Sequence, residues 1–389
     1  MNGIKLTCQS CGKEFLFTPE EQDFYKKKGF SNPKRCKACR AKRKEEKKKL
    51  EQDQATKLEN EKIEKLSHEW QTAEMANLNV DGTDTLYIIG NGFDIMHGVH
   101  SSYYDFQKTL GKRNPLRFAL ETYLDTESLW SDFEAALGCL NVDMMCNYDV
   151  LDMWLDSFDA YDSDAQAADY CMAVDAATGP ASTITDELPR RFRMWVESLK
   201  LEKMDKPLYS IVKNSPTLNF NYTEFIETLY GTHEENVCYI HGCRKKKKYQ
   251  PKEKLILGHR PDASDNWEVH PKKKRHKDPY KQYILESAQD AALNRMNWYD
   301  DATVKNCKNI IASHEDFFNK LTDIKMIAVI GHSLASVDWD YFHRIIEVNR
   351  NRNGVEWLIS FHSSKDLENL KKFVDEMGVE KGKVTIFRT

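Results

Sequence analysis

The sequence has no long hydrophobic run. Its 389 residues contain no uninterrupted apolar segment that approaches the ~18 residues needed to cross a bilayer. The opening stretch MNGIKLTCQSCG also has no apolar core of a secretory signal. These two absences argue against a membrane partner, and we therefore expect a cytoplasmic protein.

Basic residues are missing from one long segment and dominate two others. Residues 118–189 contain 16 Asp and Glu but no Lys or Arg, whereas residues 244–277 contain 13 Lys and Arg. Residues 1–66 contain 18 basic against 11 acidic residues. The basic segments are either solubilising faces or a surface for nucleic acid. Within the acidic segment, we interpret DAQAADYCMAVDAATGPASTIT (residues 164–185) as a variable surface loop.

The ten cysteines fit metal binding in a reducing compartment better than they fit disulfides. Four of them form two CxxC pairs, Cys8 with Cys11 and Cys36 with Cys39, which are separated by 24 residues. Each pair places two thiolates on one turn, and two such turns complete a tetrahedral sulfur site suited to zinc. Because a site with four Cys ligands is closed, we predict a structural rather than a catalytic zinc.

The residues between the two pairs, with their aromatic and basic pattern, resemble a bacterial zinc-ribbon family over residues 6–44. A module of this size buries too little apolar surface to fold without its metal. Six basic side chains near the second pair either meet nucleic-acid phosphates or form a solvated or protein-docking face: Lys34, Arg35, Lys37, Arg40, Lys42 and Arg43.

A charged segment separates this module from the rest of the chain. It is rich in Glu, Lys and Gln with few Leu and Ile, which is typical of an exposed linker helix or a short coiled coil. We therefore predict three parts: a zinc ribbon (residues 1–44), a charged helical linker (residues 45–80) and a larger body (residues 81–389).

The body lacks the GxGxxG pattern of dinucleotide-binding turns. The stretch TLYIIGNGFDIMHG (residues 85–98) is an apolar strand followed by Gly-Asn-Gly, which is either a plain turn or one whose amides approach a ligand phosphate. Further strand ends carry Asn221, His241 and a second glycine turn at Gly331. Strands that alternate with helical stretches indicate an α/β fold with an open, largely parallel sheet.

Two segments of the body leave alternatives open. The stretch GHSLA from Gly331 resembles the GxSxG nucleophile elbow, but only 56 residues follow Ser333, and the candidate partners are Asp338, which is too close, and His362. A serine hydrolase is therefore disfavoured. Helical spacing predicts that the following side chains lie in the core: Trp130, Phe133 and Leu137.

Four further side chains of this region have two possible positions. For Tyr103 and Tyr104, core packing is favoured over closing on a ligand. For Asp132 and Glu134, an exposed helix face is favoured over a position near a pocket.

Five motifs in this order resemble the bacteriophage abortive infection AbiH family over residues 85–361: LYIIGNGFDIMHGVHSSYYDF, LWSDFEAAL, NFNYTEFIETLY, YIHG and IGHSLASVDWDYF. AbiH motifs are in turn similar, more distantly, to the sirtuin-like NAD-binding fold, so the resemblance implies a Rossmann-like sheet with helical insertions. It implies a cofactor-binding glycine turn at Gly90, Asn91 and Gly92, flanked by Phe93 and Asp94. It also implies a ribose contact at Asn221, a catalytic base at His241 and an adenosine turn at Gly331, His332 and Ser333.

The resemblance further implies an antiphage effector that hydrolyses NAD+ at the nicotinamide–ribose bond. His241 accepts a proton in that reaction, and Asp94 either assists it or makes a local turn bond. We expect a homo-oligomer and a phage-derived trigger. Thr223 replaces a common Asp, and the sirtuin zinc insertion is missing, so lysine deacylation is unsupported. The alternatives are a non-catalytic sensor of a nucleotide or protein, and nucleic-acid binding through the zinc ribbon and the Lys-rich segments.

Overall fold

The computed structural model describes residues 3–74, 84–142, 166–201, 211, 213–245, 254–264, 267 and 279–389. The chain divides between His68 and Glu69 into two compact units. No helix among the described residues is both long enough and apolar enough to cross a membrane.

The first unit is a small hairpin followed by two helices. Strands β1 (Ile4–Thr7) and β2 (Glu14–Phe17) pair antiparallel. Helix α1 (Pro19–Lys27) begins with a proline and is capped by the Thr18 hydroxyl. Helix α2 (Lys37–Ser67) has Cys36 as its N-cap residue. It continues through the segment in which a charged helix was expected.

The second unit is built on a seven-stranded parallel sheet. Its order is β3-β9-β8-β7-β4-β5-β6. The strands are β3 (Gln71–Thr72), β4 (Thr85–Ile89), β5 (Thr217–Asn219), β6 (Val237–Tyr239), β7 (Met326–Ile330), β8 (Glu356–Phe361) and β9 (Val384–Arg388). This arrangement confirms the predicted Rossmann-like α/β fold. The chain runs from β4 outward to β6, then returns to β7 on the other side of β4. The switch point where such folds bind ligands therefore lies between β4 and β7.

Helices cover both faces of this sheet. The described ones are α3 (Asn91–Met96), α4 (Tyr103–Leu110), α5 (Pro115–Tyr123), α6 (Phe133–Leu137), α7 (Gln166–Ser198), α8 (Phe225–Tyr230), α9 (Pro279–Thr303), α10 (Cys307–Ser313), α11 (Glu315–Phe318), α12 (Trp339–Val348) and α13 (Ser364–Met377). A helical core that includes α4 to α7 and α9 contains Trp130, Phe133 and Leu137. Their prediction as core residues is confirmed.

The predicted surface loop at residues 164–185 is wrong, because most of this segment belongs to α7. Val174, Thr178 and Ala181 are buried, and Ile184 and Leu188 continue the same stripe. These positions are three or four residues apart, which is the spacing of one helix face. Ala, Gly and Pro obscured this periodicity in the sequence, and two prolines lie within the helix.

The body begins before the predicted boundary at residue 81. Residues 75–83 lie outside the described residues. Strand β3 pairs with β9, with Gln71 opposite Thr385. Trp70, directly before β3, lies 5.4 Å from the ammonium group of Lys381. The end of the predicted linker segment therefore contributes an edge strand to the sheet.

Candidate functional site

The two glycine turns meet at the switch point of the sheet. Gly90 follows β4, and its amide donates to the carbonyl of Ile330 at 3.0 Å; the amide of Gly92 donates to the carbonyl of Gly331 at 2.7 Å. A Cβ atom on Gly331 would lie 2.0 Å from the amide nitrogen of Phe93, and Gly331 has a φ of +68°. The turns approach so closely that only glycine fits.

This packing occupies amides that the sequence suggested for a pyrophosphate. The amides of Gly90 and Gly92 donate as described, and the amide of Phe93 donates to the carbonyl of Gly90. Asn91 is exposed, and its Nδ2 donates to the carbonyl of Ser101. Close packing of the two turns therefore accounts for the glycines without a ligand.

Asp94 lies beneath the first turn and binds the loop after β5. Its Oδ1 accepts from Nδ2 of Asn221 at 2.9 Å, and its Oδ2 accepts from the hydroxyl of Thr223 at 2.5 Å. Burial raises the pKa of Asp94 to about 7, although these two hydrogen bonds lower it. These partners are distant in sequence, so the alternative of a local turn bond is wrong.

Asn221 is held from two sides. Its backbone amide donates to Oδ1 of Asn219, and its Nδ2 donates to Asp94. Its Oδ1 is buried and accepts no hydrogen bond within the described part of the chain. Buried acceptors nearly always have a partner. A ligand hydroxyl or a water is the donor that this oxygen lacks.

Phe93 and His97 belong to the core. The ring of Phe93 is fully buried and lies 4.4 Å from the ring of His97, centroid to centroid. The imidazole of His97 contacts the carbonyl of Phe93 at 2.7 Å and the hydroxyl of Tyr230 at 2.9 Å. Phe93 therefore has a packing role here, in place of the cofactor contact implied by the resemblance.

A second polar cluster surrounds His241, which follows β6 and is 3% exposed. Asp338 accepts from Nζ of Lys305 at 2.9 Å, and its other oxygen lies 3.3 Å from Nε2 of His332. Nε2 of His241 lies 3.8 Å from the first oxygen of Asp338 and 3.4 Å from the hydroxyl of Tyr341. Two histidines thus approach one carboxylate.

Glu134 completes this cluster on the side of α6. Lys305 donates to Glu134 as well as to Asp338, and the hydroxyl of Tyr103 donates to the other oxygen of Glu134 at 3.2 Å. The preference for an exposed face is therefore wrong for Glu134. Asp132 pairs with Lys365, and both line a surface groove, so the alternative of a position near a pocket applies to Asp132. Tyr103 packs on Phe133 as expected.

Tyr104 does not share the packing of Tyr103. Its side chain is 52% exposed. The preference for core packing is therefore wrong for this residue.

The charges of the cluster are set by Lys305. Burial raises the pKa of Asp338, but the ammonium of Lys305 and the hydrogen bond from His332 lower it by more, so the net change is downward. Burial lowers the pKa of His241 well below its ordinary value, with a further decrease from Lys305. The site therefore contains an ionised carboxylate beside a neutral imidazole.

His241 and Asn221 lie on neighbouring strand ends but in different clusters. Phe220 packs against both histidines of the second cluster: its ring centroid is 5.2 Å from that of His241 and 4.3 Å from that of His332. Sequence reasoning missed Lys305 as a site residue and treated Asp338 only as a poor triad candidate. Lys305 follows a helix, away from any strand end, so no pattern identified it.

Ser333 and His362 are not brought together. Ser333 is exposed, and its carbonyl accepts from Asn369. The ring of His362 bonds the carbonyl of Thr389. A groove of about 620 Å³ opens beside this turn instead. Its lining includes Arg260, Leu334, Ser336, Trp339, Lys365 and Lys372.

The four predicted metal ligands do come together. The Sγ atoms of Cys8, Cys11, Cys36 and Cys39 all lie within 4.8 Å of one another. Hydrogen bonds within the cluster shift two thiols in opposite directions: a backbone hydrogen bond from Cys36 lowers the pKa of Cys8 to about 6, and side-chain hydrogen bonds from Cys36 and Cys11 raise the pKa of Cys39 to about 12. Four sulfur donors at this spacing fit a tetrahedral zinc ion.

Family comparisons agree with this geometry. The family model described as bacteriophage abortive infection AbiH matches residues 86–361, which is more than half of the chain. The chain belongs to the AbiH family. AbiH membership confirms the resemblance noted in the sequence and supports a role in abortive infection by bacteriophage. No match is found among curated proteins or among solved structures.

The N-terminal unit of this AbiH protein matches a second family, described as a probable treble clef domain, over residues 3–48. Cys8 and Cys11 lie on the turn after β1, whereas Cys36 and Cys39 lie at the start of α2. A ligand pair on a helix N-terminus defines a treble clef, so the zinc module expected as a ribbon has this form.

Proposed function

We propose that the AbiH body hydrolyses NAD+ at the nicotinamide–ribose bond and thereby acts as the effector of abortive infection. The observation that carries this proposal is the buried Oδ1 of Asn221, which has no hydrogen-bond partner among the described residues and lies at a strand end that neighbours the one bearing His241. The sheet order supports it, because the motif turns lie at the switch point where Rossmann-like folds bind nucleotides.

Asn221 is assigned to the ribose. Its Nδ2 is bound to Asp94, so its Oδ1 is available to accept from a ribose hydroxyl or from the attacking water. Asp94 does not touch the substrate in this assignment and acts by orienting Asn221. The fixed amide reduces the entropy lost when the ribose is positioned.

His241 is assigned as the base. Nicotinamide leaves as a neutral pyridine when the bond to the ribose carbon breaks, so no acid is required for its departure. Water adds its oxygen to that carbon and loses a proton, which the neutral imidazole accepts. The products are ADP-ribose, nicotinamide and a proton.

The groove beside Ser333 is assigned to the adenosine half of NAD+. Its volume of about 620 Å³ lies in the range of small-molecule sites. Arg260, Lys365 and Lys372 line it together with Asp132 and Asp262. Arg260 pairs with Asp262 and Lys365 pairs with Asp132, so a phosphate has to displace an acid from either of these cations. This assignment replaces the glycine-turn amides, which are bonded within the protein.

The test compares NAD+ in infected cells, because infection supplies the trigger. Cells that carry wild type, His241→Asn, Asn221→Ala or His97→Asn are infected, and NAD+ and nicotinamide are quantified over time. We expect NAD+ loss in the wild type and in the His97→Asn control, which removes another buried histidine. We expect at least ~10²-fold slower loss in the two site variants. Equal loss in His241→Asn and wild type would remove His241 from the reaction.

A non-catalytic sensor is the second candidate. The observation that favours it over catalysis is the burial of His241, which is 3% exposed, since a general base must reach the water that it deprotonates. A nucleotide that raises the melting temperature of the purified chain without being consumed would support this reading.

The treble clef is the basis of a third candidate, nucleic-acid binding. Phe24 and Phe30 are 53% and 58% exposed among basic residues. Binding that weakens steeply with salt would support this function. A homo-oligomer, a phage-derived trigger and a cytoplasmic location stay predictions.

A further inference from the structure

Four polar groups around His241, three of them buried and one half-buried, have no part in the proposed substrate contacts. They are Glu134, Lys305, His332 and Asp338, and they come from four separate places in the chain. Burying two acids and one ammonium costs several kcal/mol per ion unless they are closely paired. Such a cluster beside a neutral histidine calls for a functional explanation.

His332 cannot act as a base in this cluster. Its Nδ1 accepts from the amide of Leu334 at 3.0 Å, so that nitrogen carries no proton, and its Nε2–H points to Asp338. Leu334 has a φ of +53°, the one non-glycine residue of the described chain with a positive φ. This strained turn, whose carbonyl also accepts from Trp339, fixes the tautomer of His332.

His241 has a different arrangement. Its Nε2 faces Asp338 and Tyr341, and no described residue bonds its Nδ1. A proton on Nε2 directs its partial positive charge toward the carboxylate of Asp338 and can be donated to the hydroxyl of Tyr341, which leaves Nδ1 as the accepting nitrogen. The distance of 3.8 Å to Asp338 is too long for a hydrogen bond in the neutral state. We expect this distance to shorten when His241 becomes positively charged, because the carboxylate then attracts the ring.

We propose that Asp338 is the positioning residue of His241: it holds the Nε2–H tautomer and pairs with the imidazolium that forms when Nδ1 accepts the proton from water. Lys305 keeps Asp338 ionised, and Glu134 with Tyr103 fixes Lys305. This inference takes its substrate from the proposed function, whereas the pairing of Asp338 with His241 does not depend on that function. The proton later passes from Nδ1 to solvent.

The charged and titratable groups that act on His241 oppose one another. Asp338 favours the imidazolium, whereas Lys305, His332 and His314 disfavour it. The hydroxyl of Tyr341 contacts Nε2, and the ring of Tyr222 packs nearby while its hydroxyl donates to the carbonyl of Ile256. Replacing Asp338 by Asn therefore removes the attractive charge and leaves the repulsive ones. The protonation midpoint of His241 should fall.

The experiment uses the full chain with ¹⁵N-labelled histidine. The variants are Asp338→Asn and, as a matched control, Asp340→Asn, which removes an exposed acid two residues further along. The resonance of His241 is identified by its loss in His241→Asn. In Asp338→Asn we expect a lower titration midpoint and a mixture of tautomers, with neither change in Asp340→Asn. An unchanged midpoint and tautomer in Asp338→Asn would overturn the proposal.

Nicotinamide release provides an independent measurement. We expect Asp338→Asn to lower kcat by about 10²-fold or more with KM within about threefold, and the acidic limb of the pH profile to move to lower pH. If the wild type releases no nicotinamide, the NAD+ function fails, while the NMR titration still decides the role of Asp338. Should Asp338→Asn not fold, the double variant Asp338→Asn, Lys305→Met is titrated beside Lys305→Met alone. A lower midpoint of His241 in the double variant than in Lys305→Met supports the proposal, and equal midpoints overturn it.

Discussion

Two buried acids, Asp94 and Asp338, differ in protonation because only one of them has a cation as a direct partner. Asp94 accepts from the neutral groups of Asn221 and Thr223, and burial raises its pKa to about 7. Asp338 binds Lys305, and its pKa is lowered in spite of burial. Opposite shifts of this kind separate the roles of acids in one site.

Asp94 makes stability depend on pH in a defined direction. Its folded pKa of about 7 exceeds the unfolded value of about 4. Between these values the unfolded chain loses the proton and the folded chain keeps it, so the free energy of unfolding falls as pH rises. Relative to Asp94→Asn, the wild type should lose at most ~1.4 kcal/mol per pH unit over this window.

Urea unfolding of both proteins at about pH 5 and about pH 8 measures this difference. The comparison with Asp94→Asn cancels the contribution of other titrating groups. The same difference between the two proteins at both pH values would show that Asp94 is ionised in the folded state throughout. Loss of NAD+ turnover in Asp94→Asn would separately report the orientation of Asn221.

Single residues at strand ends could be predicted from the sequence, and others could not. Asn221 and His241 follow apolar strands, so their position at one sheet edge was accessible to pattern reasoning. Glu134 and Lys305 lie on and after helices, where only tertiary packing decides which side chain turns inward. Burial of Lys305 depends on two acids that are 171 and 33 residues away in the sequence.

At the scale of elements, the turns after β4 and β7 act as one unit. Each turn places a glycine where the other leaves no room for a Cβ atom: one on Gly90 would lie 2.5 Å from Cα of His332. The turns also orient Asp94 and His332, which follow them directly. The position of both polar clusters therefore depends on this contact.

Gly331→Ala should disrupt this contact. The added methyl would lie 2.0 Å from the amide nitrogen of Phe93, and alanine is strained at positive φ. We expect a loss of about 2–5 kcal/mol in the free energy of unfolding. Gly98→Ala is the matched control, since Gly98 has a φ of +78° with no atom within 4 Å of the added carbon.

Denaturant unfolding distinguishes the steric clash at residue 331 from the strain of alanine at positive φ. Gly98→Ala should lose only about 1 kcal/mol, which is the cost of the backbone conformation. Equal losses in both variants would mean that the two turns separate easily, and that their contact does not position the site.

Helix α7 shows how an element can escape sequence analysis. Its buried positions from Val174 to Leu188 follow helical spacing, but Ala and Thr contribute little to an apolar pattern. Gly179 and Pro180 also resemble a loop signal. Packing against α5 and α9 stabilises this helix where its local helix propensity is low, so the helix depends on contacts that are distant in sequence.

At the scale of the whole molecule, the parallel sheet was predictable but its order and edge were not. Alternating strands and helices indicate a parallel sheet, whereas the order requires knowledge of which strands pair. Strand β3 is only two residues long and follows a charged helix, so no apolar run in the sequence indicates a strand there. Its pairing with β9 makes the segment after α2 part of the body.

The treble clef should depend on zinc as a unit. Its strands are four residues each, and its described core is small, so the metal supplies much of the folding free energy. We expect one zinc ion per chain in the wild type and in Cys139→Ser, and none in Cys36→Ser, by elemental analysis.

Removal of zinc should expose the first unit to protease. With a chelator or in Cys36→Ser, trypsin should cleave faster after Lys13 and Lys26, which lie within the cysteine framework, as followed by mass spectrometry. The second unit has a hydrophobic core formed by its own residues, so its thermal transition should remain. Absence of zinc from the wild type, together with equal cleavage in Cys36→Ser and Cys139→Ser, would show that this module folds without a metal.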